Sequence, residues 1–144
     1  MQIRKATIED IISIVNIEKN VFNETLGESF LYDELSINPF SRMYVIEKEH
    51  QVIAFLGLRV DELAEVMNFA VQPSFQHQGY GSMLLSHALE ELKKEHVKTL
   101  SLEVRESNIK AQKFYQKFGF HISHKRKAYY QNEDAIVYVK EVDK

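Results

Sequence analysis

The sequence predicts a single mixed α/β domain spanning residues 1–144, and three observations lead to that prediction. The length of 144 residues suits one compact core. Only two prolines and five glycines are present, so no flexible linker divides the chain. Apolar residues switch repeatedly between helical and strand spacing. The predicted element order is β-α-α-β-β-β-α-β-α-β-β.

Two helices and four strands are expected in the first half of the chain. Thr7 and Asp10 have the spacing of a helix capping box, and apolar residues then recur at helical spacing to about Asn20. Residues 22–29 have no clear period and are interpreted as a loop. Pro39 ends the second helix, because proline cannot continue one. The expected elements are strand 3–6, helix 8–20, helix 30–35, and strands 43–47, 52–60 and 65–71.

In strand 65–71, simple alternation would place one trio of side chains on one face and the other trio on the opposite face. The two trios are Val66, Asn68 and Ala70, and Met67, Phe69 and Val71. Pro73 ends this strand.

Helices and strands alternate in the second half of the chain. A long helix follows a turn with two glycines, and its apolar face consists of Leu84, Leu85, Ala88, Leu89 and Leu92. A shorter helix begins at Ser107 or Asn108, both good N-caps, and Gly119 ends it. Its apolar stripe consists of Ala111, Phe114, Tyr115 and Phe118. The expected strands are 99–104, 120–125 and 135–139.

Composition excludes several classes of protein. The formal net charge is -3, from 18 Lys and Arg against 21 Asp and Glu, which argues against a DNA-binding protein. The chain has no cysteine, so it has no disulfide framework, thiolate zinc site or cysteine nucleophile. Residues 1–5 lack a signal-peptide pattern, and no apolar run approaches the roughly 20 residues that span a bilayer. We expect a soluble cytoplasmic protein without membrane contact.

No metal site is expected. The six histidines form no H-x-x-x-H or H-E-x-x-H pattern. His121 and His124 are three residues apart, and on a regular strand they would face opposite sides. Residues 125–127 form a short basic run, interpreted either as a solvated strand end or as a contact for a cofactor or nucleic acid.

The turn over residues 71–82 is the most informative segment. Gly79 and Gly81 lie between a strand and a strong helix, where free backbone N–H groups and the helix dipole suit phosphate oxygens. Judged on spacing alone, a tight turn with a helix cap explains the two glycines equally well. The segment lacks the Lys-Ser/Thr of a Walker A loop and the third glycine of a Rossmann fingerprint.

The string Gln76-His77-Gln78-Gly79-Tyr80-Gly81 resembles the pyrophosphate loop of the GNAT superfamily of N-acetyltransferases, which has the pattern Gln/Arg-x-x-Gly-x-Gly/Ala. The resemblance continues through 68–73, 102–108 and 114–120. The Leu-Glu-Val-Arg-x-Ser-Asn string and the segment from Tyr129 to Ala135 are similar to RimI-type ribosomal-protein N-terminal acetyltransferases. The resemblance implies a mixed, mostly antiparallel twisted sheet of six to seven strands flanked by four helices.

The same resemblance implies that acetyl-CoA enters a V-shaped gap between two splayed strands. Backbone groups of residues 69–71 would bind its pantetheine arm, residues 77–82 its pyrophosphate, and Asn108 its other side. The expected cofactor-binding residues are Phe69, Ala70, Val71, Gln76, His77, Gln78, Gly79, Tyr80, Gly81, Ser82 and Asn108.

Two side chains are expected to carry the chemistry. The matched string makes Glu103 the general base that takes the amine's proton, through a water molecule. Without the resemblance, a glutamate alternating with leucines on a strand is usually solvated. The resemblance also implies that Tyr115 protonates the departing thiolate. A phenol with a pKa near 10 stays protonated at neutral pH, which suits that role. Plain packing within its apolar stripe is the alternative for Tyr115.

The acceptor is expected to be a protein N-terminus. An α-amine loses its proton at pH 7 for about 1 kcal/mol, against about 4.6 kcal/mol for lysine. The resemblance implies the N-terminal alanine of a small-subunit ribosomal protein, lying between residues 22–29 and Tyr129-Tyr130. Glu24 and Glu28 could favour basic residues that follow this alanine, or could be an ordinary solvated acidic segment.

Related enzymes often carry a Pro-Trp pair in the 22–29 loop, but this chain has Phe22-Asn23-Glu24-Thr25 there and no tryptophan. Peptide specificity is therefore less certain than cofactor binding. A lysine, small-amine or polyamine acceptor is the alternative, followed by a non-catalytic acyl-CoA sensor. We expect a monomer or weak dimer.

Overall fold

The computed structural model describes residues 1–130 and 132–143, which form a seven-stranded sheet covered by four helices. The strands are β1 Gln2–Lys5, β2 Ser41–Lys48, β3 Gln51–Val60, β4 Ala64–Val71, β5 Thr99–Arg105, β6 His121–Tyr130 and β7 Glu133–Glu141. The helices are α1 Ile11–Phe22, α2 Glu28–Ser36, α3 Tyr80–Lys94 and α4 Ile109–Lys117. The predicted order of strands and helices is confirmed.

The spatial order of the sheet is β1-β2-β3-β4-β5-β7-β6. Neighbouring strands are antiparallel except β4 and β5, which are parallel. Within the described residues, β4 and β5 pair only at Ala64 with Leu100 and Glu65 with Ser101. Beyond these pairs the strands separate. A gap therefore opens in the middle of the sheet, as the resemblance implied.

Apolar side chains on the two faces of the sheet hold the helices in place. Leu84 of α3 and Tyr115 of α4 pack with Leu102 of β5 on one face. Ile14 of α1 and Leu31 of α2 lie in the cluster on the opposite face. Burying each such side chain contributes about 1.5–3 kcal/mol. Among the residues that the structure describes, the α1–α2 cluster extends only to β4 and includes none from β5, β7 or β6.

A β-bulge interrupts β4 next to the gap. The register with β3 shifts between Gly57 and Leu58, which leaves Met67 as the extra residue. Val66 therefore packs toward the same face as Phe69. The simple alternation predicted for this strand is wrong at Val66. Because the inserted residue shifts the alternation by one position, Val66 faces the side opposite to the one that Asn68 and Ala70 face.

The last two strands form a hairpin that is longer than predicted. A register shift between Ile122 and His124 places His121 opposite Val139 and His124 opposite Val137. The two histidines therefore share a face, and the prediction of opposite faces is wrong because a bulge intervenes. No group of three or more His, Cys, Asp or Glu in the described part of the chain could hold a metal ion.

Candidate active site

The gap exposes backbone groups of β4. The Gln72 N–H donates to Ile53 O of β3 at 2.8 Å, and antiparallel pairing alternates along the strand. The N–H groups of Phe69 and Val71 consequently point away from β3, toward the gap. The Gln76 side chain donates to Val71 O at 2.9 Å on this same side. The strand edge thus offers two directed donors to a ligand.

The glycine turn adds a second group of donors beside the gap. His77 and Gly79 have left-handed backbone with φ of 63° and 87°, which glycine tolerates best. Gly79 precedes α3, and it supplies no side-chain cap. The N–H groups of residues 80–82 therefore have no intrahelical acceptor, and the α3 dipole makes this end electropositive. The turn can bind an anion such as a phosphate.

A cavity of about 630 Å³ joins these two features. Nine of the predicted cofactor-binding residues line it: Phe69, Ala70, Val71, Gln76, His77, Gly79, Tyr80, Gly81 and Ser82. Val21 of α1 also lines it, so the cavity receives residues from both faces of the sheet.

Two predicted cofactor residues do not line the cavity. The Gln78 side chain donates to Ser74 O at 3.3 Å. Asn108 caps α4, because its side-chain oxygen accepts from the Ala111 N–H at 3.2 Å. Cofactor contact by all eleven predicted residues stays a prediction.

Three lysines of α4 line the cavity and were missed by sequence reasoning. Lys110, Lys113 and Lys117 are exposed and lie at i, i+3 and i+7, so they share one side of the helix. The sequence contained a signal for this basic side, because the three lysines flank the apolar stripe of the same helix. Their charges suit additional phosphate groups.

A second cavity of about 780 Å³ lies at the opposite end of β4. Three acidic residues line it, Asp61, Glu62 and Glu95, the C-cap of α3, against one basic residue, Arg42, which pairs with Glu95 at 3.0 Å. Acidic side chains and the negative end of a helix dipole repel phosphate. The 630 Å³ cavity is therefore the better candidate for a phosphorylated cofactor.

Glu103 lies beside the gap, two residues beyond the last β4–β5 pair. Its side chain is 17% exposed and forms an ion pair with Arg126 of β6. The Tyr129 hydroxyl also hydrogen-bonds the carboxylate, which raises the pKa of Tyr129. Arg126 lies 4.2 Å from the Tyr129 ring centroid. Sequence reasoning gave Arg126 no part in this cluster, because β6 lies far from β5 along the chain.

Tyr115 lies on the other face, in α4. Its ring packs edge-on against Phe114 and Phe120, at 5.2 and 5.5 Å between centroids. Its hydroxyl makes no hydrogen bond to any described residue, whereas every buried side-chain nitrogen or oxygen described has a partner. The hydroxyl therefore reaches accessible space. Burial of the ring raises the pKa of Tyr115 above its usual value near 10.

Comparison with known proteins agrees with this geometry. The model of the acetyltransferase (GNAT) family matches residues 9–120. The chain belongs to the GNAT family. A Bacillus subtilis protein provisionally named as a ribosomal protein bS18-alanine N-acetyltransferase is 36% identical over 138 residues, which cover 94% of this chain and 91% of that protein. The chain is accordingly an N-acetyltransferase of the RimI type.

Solved GNAT structures share the fold. The ribosomal-protein-S18-alanine N-acetyltransferase from Escherichia coli superposes with a TM-score of 0.90 and 29% identity, over 98% of this chain and 93% of that one. The PaiA N-acetyltransferase from Thermoplasma acidophilum, solved in complex with coenzyme A, has a TM-score of 0.85 and 20% identity, over 97% and 98% of the two chains.

Residues 23–27 connect α1 and α2 and belong to the segment that was predicted to contact the acceptor. Glu24 and Glu28 are exposed, as are the apolar side chains of Phe22, Leu26 and Phe30. Tyr129 is 46% exposed, and the side chain of Tyr130 lies outside the part that the structure describes. None of the described helices is both long and apolar enough to cross a membrane.

Proposed function

We propose that this enzyme transfers the acetyl group of acetyl-CoA to the α-amine at the N-terminus of a protein. The observation that carries the proposal is the cavity at the β4–β5 gap, which residues from both faces of the sheet line. Acetyl-CoA would approach from the face of the sheet that α3 and α4 cover, and the acceptor amine from the face on which Glu103 lies. The two reactants would meet where the strands separate.

Binding of acetyl-CoA would rely on backbone groups. The gap-facing N–H groups of Phe69 and Val71 would hydrogen-bond the pantetheine arm and polarise the thioester carbonyl. One preorganised donor to a developing oxyanion is worth about 3 kcal/mol in comparable sites. The start of α3 would hold the pyrophosphate of CoA. The phosphate group of CoA outside the pyrophosphate would contact Lys110, Lys113 and Lys117.

Glu103 would act as general base. The acceptor must lose a proton before its nitrogen can attack, and the carboxylate would take that proton through one water molecule. The nitrogen then forms the C–N bond to the acetyl carbon, the C–S bond breaks, and CoA leaves as a thiolate. Attack is direct, since this route needs no nucleophile from the protein.

Tyr115 would stabilise the leaving thiolate. A thiol has a pKa of about 8.5 and an unperturbed phenol about 10, so complete proton transfer from tyrosine to thiolate is uphill by about 2 kcal/mol. Burial raises the pKa of Tyr115 and increases that cost. Its main contribution is therefore a hydrogen bond to the developing thiolate. Solvent can supply the final proton.

The preferred acceptor is the N-terminal alanine of a small-subunit ribosomal protein. The name of the Escherichia coli neighbour supports this choice. Exposed Phe22, Leu26 and Phe30 offer an apolar surface for peptide side chains. Glu24 and Glu28 would favour basic residues after the alanine, through Coulomb attraction that salt weakens.

A peptide panel with purified enzyme and acetyl-CoA tests this function. The panel contains an Ala-initiated basic peptide, its N-terminally blocked copy with a free lysine, and a polyamine, with mass spectrometry locating the acetyl group. We expect modification of the alanine α-amine alone. Modification of lysine or polyamine would contradict the proposed acceptor. Cofactor binding without turnover on any amine would contradict catalysis and favour an acyl-CoA sensor.

A further inference from the structure

Glu18 is a buried carboxylate that the proposed chemistry does not use. It lies on α1 and is 2% exposed. One carboxylate oxygen accepts from the Thr25 hydroxyl at 2.7 Å and from the Leu26 N–H at 3.3 Å. Thr25 Oγ1 accepts in turn from the Gly27 N–H at 3.1 Å. Glu18 thereby holds the segment 23–27, here called the acceptor lip.

The second oxygen of Glu18 faces the split strand. It accepts from Asn68 Nδ2 at 3.5 Å, a long hydrogen bond. Asn68 immediately follows the β4 bulge and precedes Phe69, whose N–H faces the gap. The Asn68 side chain occupies the space over Gly57, where an added Cβ would lie 2.1 Å from Asn68 Oδ1. One carboxylate therefore contacts both the acceptor lip and the strand that would hold the thioester.

We propose that Glu18 is a positioning residue that sets the acceptor lip against β4, so that a bound peptide places its amine at the gap; this inference rests on the proposed function. The connection requires a small residue at position 57, and Gly57 meets that requirement. A buried carboxylate is costly unless it is fully hydrogen-bonded, and these bonds satisfy it.

Asp10 provides a matched control. It is also a buried carboxylate, 5% exposed, at the other end of α1. It accepts from Arg4 at 2.8 Å and from the Thr7 N–H at 2.8 Å, and none of its described hydrogen bonds reaches the acceptor lip. Removing its charge should lower stability without changing peptide binding.

The test compares Glu18→Ala, Glu18→Gln and Asp10→Asn with the wild type. Because Glu18→Ala removes hydrogen bonds to a charged group, we expect it to raise the peptide KM about tenfold or more. The Kd for CoA should change less than about twofold. Glu18→Gln should recover most of the peptide KM, because its amide oxygen still accepts from Thr25 and Leu26 while the Asn68 amide can rotate to match.

Hydrogen exchange supplies a readout that does not depend on activity. The Leu26 and Gly27 amides should exchange faster in Glu18→Ala and at the wild-type rate in Asp10→Asn. Unchanged exchange, or a peptide KM that rises equally in Glu18→Ala and Asp10→Asn, would overturn the inference. A wild-type enzyme that acetylates no peptide would instead overturn the proposed function, and the exchange rates alone would then decide whether Glu18 holds the lip.

Discussion

The two sides of the β4–β5 gap are built in different ways. The proposed cofactor side comes mainly from one continuous segment, residues 69–82, and would rely on backbone N–H groups and a helix start. The proposed acceptor side combines side chains from α1, β5 and β6, which are far apart in the sequence. Recognition through the backbone therefore leaves a local sequence signature, whereas a cluster of side chains depends on the tertiary fold.

The two sides also differ in how amino-acid substitutions affect them. A backbone donor survives most substitutions, so the cofactor side depends chiefly on the conformation at Gly79. A cluster such as Glu103 with Arg126 and Tyr129 depends on each side chain separately. Substitutions should therefore separate cofactor binding from acceptor chemistry.

The largest effect is expected from Glu103→Gln. Loss of the general base should lower kcat about 100- to 1,000-fold, while the CoA Kd stays unchanged because Glu103 lies on the opposite face. Glu106→Gln is the control, since Glu106 is exposed and pairs with Lys125 at 2.9 Å. Steady-state kinetics and calorimetry measure the two quantities. A Glu103→Gln enzyme with more than half the wild-type rate would remove the proposed base.

Tyr115→Phe should have the next largest effect. Losing one hydrogen bond to the leaving thiolate should lower kcat about tenfold. The fold should persist, because the ring packing against Phe114 and Phe120 is unchanged. Single-turnover rates with a basic Ala-initiated peptide measure the effect. Full turnover in the variant would mean that Tyr115 serves packing alone.

A pair of glycine substitutions tests the comparison itself. Gly79 and Gly27 both have positive φ, 87° and 96°, with nothing within 4 Å of an added Cβ. Gly79 has the left-handed helical conformation, whereas Gly27, with a ψ of 154°, lies in a region that essentially only glycine adopts. Alanine at either position costs about 1–3 kcal/mol. Gly79→Ala should weaken CoA binding about tenfold, whereas Gly27→Ala should leave it unchanged and raise the peptide KM. Equal effects of both variants on CoA binding would contradict a division between the two sides.

Lys113→Ala should weaken CoA binding by about threefold at low salt, with a smaller difference at high salt because the contact is exposed and screened. Lys94→Ala is the matched control, since Lys94 is exposed near the end of α3 and lies outside the cavity lining. Titrations at two ionic strengths measure the difference. An effect that is independent of salt would argue against a phosphate contact.

The smallest effect concerns alkaline stability. Burial raises the folded-state pKa of Tyr115 above the unfolded value near 10, so its stabilisation is complete below pH 10 and is lost as pH rises further. The wild type should lose about 1 kcal/mol more than Tyr115→Phe between pH 9 and pH 11. Urea unfolding at several pH values measures this. If the wild type and Tyr115→Phe lost the same free energy of unfolding over this range, Tyr115 would ionise as readily in the folded protein as in the unfolded chain.

Much of the fold followed from the sequence, because periodicity marked each strand and helix. The bulges at Met67 and in β6 could not be predicted, since an inserted residue is visible only against the partner strand. The glycine turn at Gly79 predicted a segment that lines the 630 Å³ cavity. The pairing of Glu103 with Arg126 and of Glu18 with Thr25 stayed hidden, because the chain brings these residues together only on folding.

Backbone amide chemical shifts during a CoA titration show whether β4 and the start of α3 bind the cofactor. We expect the largest changes at the amides of Phe69, Val71 and residues 80–82. Changes concentrated around residues 61–63 at the second cavity, with the β4 amides unmoved, would contradict this expectation.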